Sequence, residues 1–199
     1  QDSVLGDAWS SRDGGSSWTL VHPAADWLFR AFAAMVALSN GSFVIMSGTN
    51  DTDVWSTADA GVTWTKLCDT PWGLRMGQGA AVLPGDVIVL SGGSDIFSEV
   101  MWPDVWSSSD GGATWSARTP SAPWGGRGEI RTLWLASQGT LVLTSGARYS
   151  GPRPDVWTSR DGGFTWNASM SDSGWFPRSY YGLAEIDDDG ALLVLGGLA

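Results

Sequence analysis

One segment of about fifteen residues recurs four times along this chain and restricts its fold more than any other feature. The copies read DAWSSRDGGSSWTLV from Asp7, DVWSTADAGVTWTKL from Asp53, DVWSSSDGGATWSAR from Asp104 and DVWTSRDGGFTWNAS from Asp155. They return about every fifty residues, the signature of a repeat architecture in which no unit buries its apolar face alone. Each copy holds two short runs rich in Val, Trp, Ser and Thr around an Asp-Gly-Gly or Asp-Ala-Gly turn, so each reads as a β-hairpin.

The intervening segments are equally regular. Each opens with Trp-x-x-Arg, at Trp27/Arg30, Trp72/Arg75, Trp124/Arg127 and Trp175/Arg178. Two apolar runs follow, separated by a turn and closed by glycine, as in GAAVL, Pro84-Gly85-Asp86 and VIVLSGG. Short β-rich runs bounded by turn residues predict a second hairpin. One repeat is then a four-stranded antiparallel sheet, and the chain is predicted to be all-β: a β-propeller of four blades. The units span about 27–67, 72–118, 124–169 and 175–199 plus 1–21, within one domain covering 1–199. Because the chain begins with a repeat hairpin and ends with a strand pair, the last blade is expected to be completed by both termini. The same complementarity would let a half-blade pass to a neighbouring molecule, or let these residues form a segment of a larger propeller.

Trp64, Trp72 and Arg75, followed by GAAVLPGDVIVLSGG, resemble a kelch repeat. The segments Ser11–Trp18, Thr57–Trp64, Ser108–Trp115 and Ser159–Trp166 resemble the Asp-box hairpin S-x-D-x-G-x-T-W of sialidases and other secreted propellers. Ser17 departs from the usual Thr, and Thr57 from the usual Ser. The resemblance covers essentially the whole chain and implies a propeller fold, but not an activity, because such repeats occur in enzymes, lectins and scaffolds. Asp13, Asp59, Asp110 and Asp161 are expected to accept hydrogen bonds within their own turns, with Trp18, Trp64, Trp115 and Trp166 packing between sheets. An identical carboxylate in every unit is a construction element rather than an asymmetric catalytic constellation.

Composition narrows the function classes. Lys and Arg total 11 against 21 Asp and Glu, a net charge of −10 that opposes nucleic-acid and anionic-membrane partners. No apolar run is long enough to span a bilayer. Cys68 is the sole cysteine and His22 the sole histidine, so neither a disulfide nor a histidine-rich copper centre is expected, and no cofactor or metal is called for. Every asparagine, at Asn40, Asn50 and Asn167, begins an N-x-S/T sequon. That points to a secreted, extracellular protein carrying N-linked glycans.

Strand alternation assigns two faces. The aspartate hairpins share one with the turns at Asn40 and 187–189; the Trp/Arg pairs share the other with loops 49–52, 94–103 and 147–154. Variable loops on a fixed scaffold mark the second face as the candidate binding surface. Its residues are Trp27, Arg30, Trp72, Arg75, Trp102, Trp124, Arg127, Arg131, Tyr149, Trp175, Arg178 and Tyr180. Arg131 stands out because the equivalent positions are Ala34, Gly79 and Gly182. The Trp/Arg pairs have two readings: stacked arginines that fix the crossovers by bonding loop carbonyls, or an exposed ring able to bind sugars or carboxylates. The resemblance to sialidases would assign Arg131, Tyr180, Tyr181 and Glu185 to glycosidase chemistry. Three functions follow as expectations: a non-enzymatic secreted scaffold that binds a protein partner or self-associates, a carbohydrate-binding propeller with a glycan ligand, and, as a minor alternative, a sialidase-type hydrolase.

Overall fold

The computed structural model describes residues 4–27, 29–49, 51–95, 97–148 and 150–198. Hairpin β1 (Ala8–Ser10) and β2 (Thr19–His22) comes first, followed by an antiparallel sheet of β3 (Ala34–Ala37), β4 (Phe43–Met46), β5 (Asp53–Thr57) and β6 (Thr65–Asp69). A second four-stranded sheet contains β7 (Gly79–Leu83) and β8 (Val87–Ser91); a two-stranded excursion, β9 (Ser94–Asp95) and β10 (Val100–Met101), precedes its β11 (Val105–Ser108) and β12 (Ser116–Thr119). The third repeats this plan with β13 (Arg131–Leu135), β14 (Thr140–Thr144), the excursion β15 (Ala147–Arg148) and β16 (Gly151–Pro152), then β17 (Val156–Ser159) and β18 (Asn167–Met170). β19 (Gly182–Glu185) and β20 (Leu192–Leu195) end the chain as a two-stranded sheet. The described residues contain no helix, so none is long and apolar enough to cross a membrane.

The fold is therefore all-β and propeller-like, with three antiparallel sheets of four strands. The terminal strand pairs differ from expectation. β1–β2 and β19–β20 remain two separate sheets, so no blade completed by both ends is assembled within the chain. Each pair packs on a different neighbour. β19 lies against β13 of the third sheet, whereas Ala8 and Val21 of the first hairpin lie against Gly61 of the first sheet.

The core fills the spaces between successive sheets. Val44, Met46, Val54, Trp72, Ile88 and Leu90 are buried between the first and second. Val89, Val105, Trp124, Leu141, Leu143 and Trp166 do the same between the second and third. The second strand of each complete sheet is covered on both faces, which explains near-continuous apolar runs such as TLVLT. Gly112 and Gly163, at φ 97° and 98°, bring the aspartate turns onto the preceding sheet; a Cβ at Gly112 would lie 3.1 Å from Val44 and one at Gly163 3.2 Å from Val105.

The aspartate hairpins repeat almost atom for atom. Asp59 accepts bonds from Thr63 N at 2.9 Å, Thr63 Oγ1 at 2.6 Å and Thr57 Oγ1 at 2.8 Å, while Thr57 Oγ1 accepts from Gly61 N at 3.0 Å. Asp13, Asp110 and Asp161 make the equivalent bonds. Trp18, Trp64, Trp115 and Trp166 each donate Nε1 to the carbonyl of the turn glycine. Bonds from Ser17 and Ser11 hold the Asp13 carboxyl at about 2, and those from Thr63 and Thr57 do the same for Asp59. At Asp161 burial pulls upward, but bonds from Thr165 and Ser159 outweigh it and the value is again about 2.

These depressed values carry a pH prediction. A carboxylate whose folded pKa lies below its usual 3.8 stabilises the fold above that pH and loses the contribution as pH falls through the folded value. Thermal stability should accordingly decline between about pH 4 and about pH 2 as the hairpin aspartates become protonated. Melting curves at stepped pH test this, and an unchanged Tm across that window would contradict it.

Candidate functional site

The residue two places after each Trp-x-x-Arg arginine leads into the innermost strand of its unit. These residues are Phe32, Gly77, Glu129 and Tyr180, and all four adopt left-handed backbone, with φ of 56°, 64°, 56° and 54°. Glycine adopts that conformation freely, whereas a larger residue there costs on the order of 1–3 kcal/mol. The turns are stitched together: Gly77 N donates to Phe32 O at 3.1 Å, and Ile130 N donates to Gly77 O at 3.2 Å.

Together with β3, β7 and β13 they surround a cavity of about 500 Å³, lined by Phe32, Gln78, Glu129, Arg131, Thr132 and Tyr180 among others. The Phe32 and Tyr180 rings approach to 6.0 Å between centroids. Burial pushes the Glu129 carboxyl above its usual value, partly offset by the Arg131 charge and a hydrogen bond from Tyr180. Burial and the Glu129 charge likewise raise the Tyr180 phenol. Gln78 is buried and donates Nε2 to Met46 O at 3.1 Å, while its Oε1 has no partner. Gly77 is required beside this group, because a Cβ would stand 2.5 Å from Glu129 Oε1.

The cavity thus presents a carboxyl, a phenol and a guanidinium beside the Phe32 ring, while the unpaired Gln78 Oε1 is buried within its wall. An acid with a raised folded pKa favours the fold below its usual 4.5 and loses that contribution as pH rises. Glu129→Gln should therefore raise Tm at neutral pH and narrow the difference between acidic and neutral stability. Calorimetry of the two proteins at pH 5 and pH 8 checks the sign.

The Trp/Arg pairs lie elsewhere and correct the expected binding ring. Trp27, Trp72, Trp124, Arg30, Arg75 and Arg127 are all buried. Arg30, Arg75 and Arg127 lie 5.5, 5.3 and 6.0 Å from the centroids of their own tryptophans. They bond Asp53 at 2.8 Å, Asp104 at 2.8 and 3.0 Å, and Asp155 at 2.5 and 3.0 Å. Each also donates to a loop carbonyl, of Ser47, Gly92 or Ser145. Trp102 covers the other side of Arg75 at 5.0 Å. These side chains are inaccessible because each is folded against its own tryptophan and the first carboxylate of the next aspartate repeat, Asp53, Asp104 or Asp155.

The remaining candidates separate. Arg131 lines the cavity and lies 5.7 Å from the Tyr181 ring; Tyr180 opens into the cavity, whereas Tyr181 is buried and bonds Thr144 Oγ1 at 2.7 Å. Glu185 is on β19, paired in register with Leu192 and away from the cavity lining, so the residues that the sialidase resemblance would use are not brought together. Trp175 and Arg178 are half-buried beside the last strand pair. Tyr149 and Asn50 fall outside the described residues; Asn40 and Asn167 are exposed. Sequence reasoning missed Gln78 and Glu129. For Glu129 a signal was present in the Phe, Gly, Glu, Tyr series two residues after each arginine, where one unit carries glycine and the other three a large residue. Among the described residues, no three His, Cys, Asp or Glu side chains converge as metal ligands.

No protein-family profile and no curated protein matches the chain. The arrangement defines a propeller-like all-β protein with a cavity between the turns that lead into β3, β7, β13 and β19. Among solved structures, the chain is similar to one described as "Structure of YjhT", with a TM-score of 0.77 and 16% identity over 98% of this chain and 69% of that one. A likeness at that identity concerns the fold alone.

Proposed function

We propose that this chain is a non-enzymatic binding module that holds a small neutral carbohydrate in this cavity. In this reading it is a kelch-like propeller with Asp-box hairpins, whose repeat units make four blades, three complete and one divided between β19–β20 and β1–β2. It is secreted and carries N-linked glycans at its three sequons. The observation that carries the proposal is the cluster of Glu129, Arg131 and Tyr180 with Phe32 around one cavity, three of them (Phe32, Glu129 and Tyr180) on strained backbone. Strained residues persist only where the surrounding structure enforces them, and such strain concentrates at ligand sites.

The chemistry favours a polyol. The Glu129 carboxyl accepts hydrogen bonds, while the Arg131 guanidinium and the Tyr180 hydroxyl offer protons, and sugar hydroxyls serve as both donor and acceptor. Phe32 and Tyr180 supply ring faces for the apolar side of a pyranose. The net charge of −10 and the buried Glu129 oppose an acidic sugar. A volume of about 500 Å³ lies within the usual range for small-ligand pockets.

Titration calorimetry against neutral and acidic mono- and disaccharides tests this reading. Neutral members should bind, and Arg131→Ala or Tyr180→Ala should weaken binding about tenfold or more while leaving the melting transition cooperative. Absence of binding to every neutral sugar, or affinity indifferent to both substitutions, would refute it.

A further inference from the structure

The cavity holds one charge of each sign. Glu129 and Arg131 are its charged lining residues, and the parts of β3 and β7 that line it carry uncharged side chains. Tyr180, from the turn leading into β19, is the other titratable group of the lining and donates to Glu129. Tyr181 has its ring 5.7 Å from the Arg131 guanidinium, but it is buried and bonded to Thr144. With Glu129 ionised the lining is neutral as a whole, which suits an uncharged sugar.

The two charges are not locked together. Arg30, Arg75 and Arg127 each close on an aspartate, whereas among the described residues Arg131 forms no ion pair. Its guanidinium donates to Ile130 O at 3.0 Å, which leaves most of its five N–H groups for other acceptors. A planar fork of donors beside an open volume of about 500 Å³ is the arrangement that receives a carboxylate. The equivalent positions in the other units, Ala34, Gly79 and Gly182, carry no charge, so this fork serves one sector of the cavity.

Glu129 decides when an anion can use that fork. Its residue is 8% exposed and lies on left-handed backbone, with φ of 56°. Its Oε1 stands 2.5 Å from where a Cβ on Gly77 would be, so the carboxyl is packed against backbone. As a carboxylate it repels a second carboxylate entering the cavity, and burial leaves that repulsion poorly screened. As a carboxylic acid it has a proton to donate, and Arg131 becomes the net charge of the lining. A ligand carboxylate beside it favours the acid form, because two carboxyl groups at one site share a proton. Burial already pushes the Glu129 carboxyl upward in the same direction.

We propose that the cavity takes up a sugar carboxylate, a uronate, together with one proton: the ligand carboxylate seats on Arg131 and accepts a hydrogen bond from protonated Glu129. The inference rests on the reading of this cavity as a sugar site. No covalent bond is made or broken; solvent supplies the proton and regains it on release. A fall in pH then admits the uronate without excluding the neutral sugar.

Glucose, galactose and mannose with their uronates are the matched probes, since each pair differs by a carboxylate in place of a hydroxymethyl group. The sugar carboxyl stays ionised above about pH 4. Titration calorimetry of the protein between pH 5 and pH 8 reads both members of each pair. Uronate affinity should rise about tenfold for each pH unit of acidification above the folded value of Glu129, with about one proton taken up per ligand, read from the dependence of the heat on buffer ionisation. Neutral-sugar affinity should stay within about threefold over the same range. Glu129→Gln should bind the uronate at pH 8 without proton uptake, because the amide donates without carrying charge. Arg131→Ala should lose uronate affinity about thirtyfold or more at pH 5, beyond its loss of neutral-sugar affinity. Absence of binding to all three uronates at pH 5, uronate affinity independent of pH, or a Glu129→Gln protein that keeps the wild-type pH dependence would overturn the proposal. Neutral sugars bound without any uronate overturn this inference and leave the neutral-sugar reading standing. A uronate bound with proton uptake, and no neutral sugar bound, supports this inference and overturns the neutral-sugar reading.

Discussion

Replacing Arg75 by alanine is expected to destabilise the fold by about 3–5 kcal/mol, with a loss of roughly 10 °C in Tm. Arg75 is fully buried between Trp72 and Trp102, at 5.3 and 5.0 Å, and holds both Asp104 oxygens as well as Gly92 O. Removing it leaves the Asp104 carboxylate beside the second-sheet core with only the Trp106 indole as a side-chain donor. Lysine should not rescue it, because one ammonium cannot reproduce a fork that stacks on two indoles. The double variant Arg75→Met with Asp104→Leu should lose less stability than Arg75→Ala alone, since no unpaired charge remains buried. Denaturant midpoints for the four proteins measure this, and a single-variant loss under about 1 kcal/mol would show that the pair behaves like a surface bridge.

The second large effect concerns tryptophans that are equivalent in sequence but not in surroundings. Trp124→Ala should cost about 3–5 kcal/mol, because its side chain is fully buried against Trp166 and Ile130. The exposed Trp18→Ala should fall within about 1 kcal/mol of the parent. If the Trp/Arg ring were a binding surface, Trp124→Ala would abolish sugar affinity while sparing stability. Burial predicts the reverse for molecules that remain folded, and paired melting and calorimetric titrations separate the two outcomes.

The repeat grammar made the strands legible. Hairpins such as GAAVL and VIVLS joined at Pro84–Asp86 follow from apolar runs and turn residues, and the aspartate hairpin follows from the reach of a short carboxylate to its own turn. Burial of the Trp/Arg pairs was not legible. An arginine just before a strand reads equally as a surface group, and the carboxylate that Arg30 bonds lies at position 53, beyond any local pattern. Glu129 was obscure for another reason. Its role depends on a left-handed backbone shared with Phe32 and Tyr180, and conformation at single positions is not written in residue type once glycine is replaced. The separation of β1–β2 from β19–β20 follows from how the sheets are arranged in space, which no repeat spacing encodes.

The left-handed turns make the lining of the cavity separable from the scaffold. Because positions 32, 77, 129 and 180 share one backbone conformation that glycine accepts without strain, a large residue can be removed there with relief of backbone strain to set against the lost side-chain contacts. Substitutions at 32, 129 and 180 therefore alter the cavity lining while leaving the clasps and hairpins untouched, whereas position 77 stays glycine because a Cβ there would stand 2.5 Å from Glu129 Oε1.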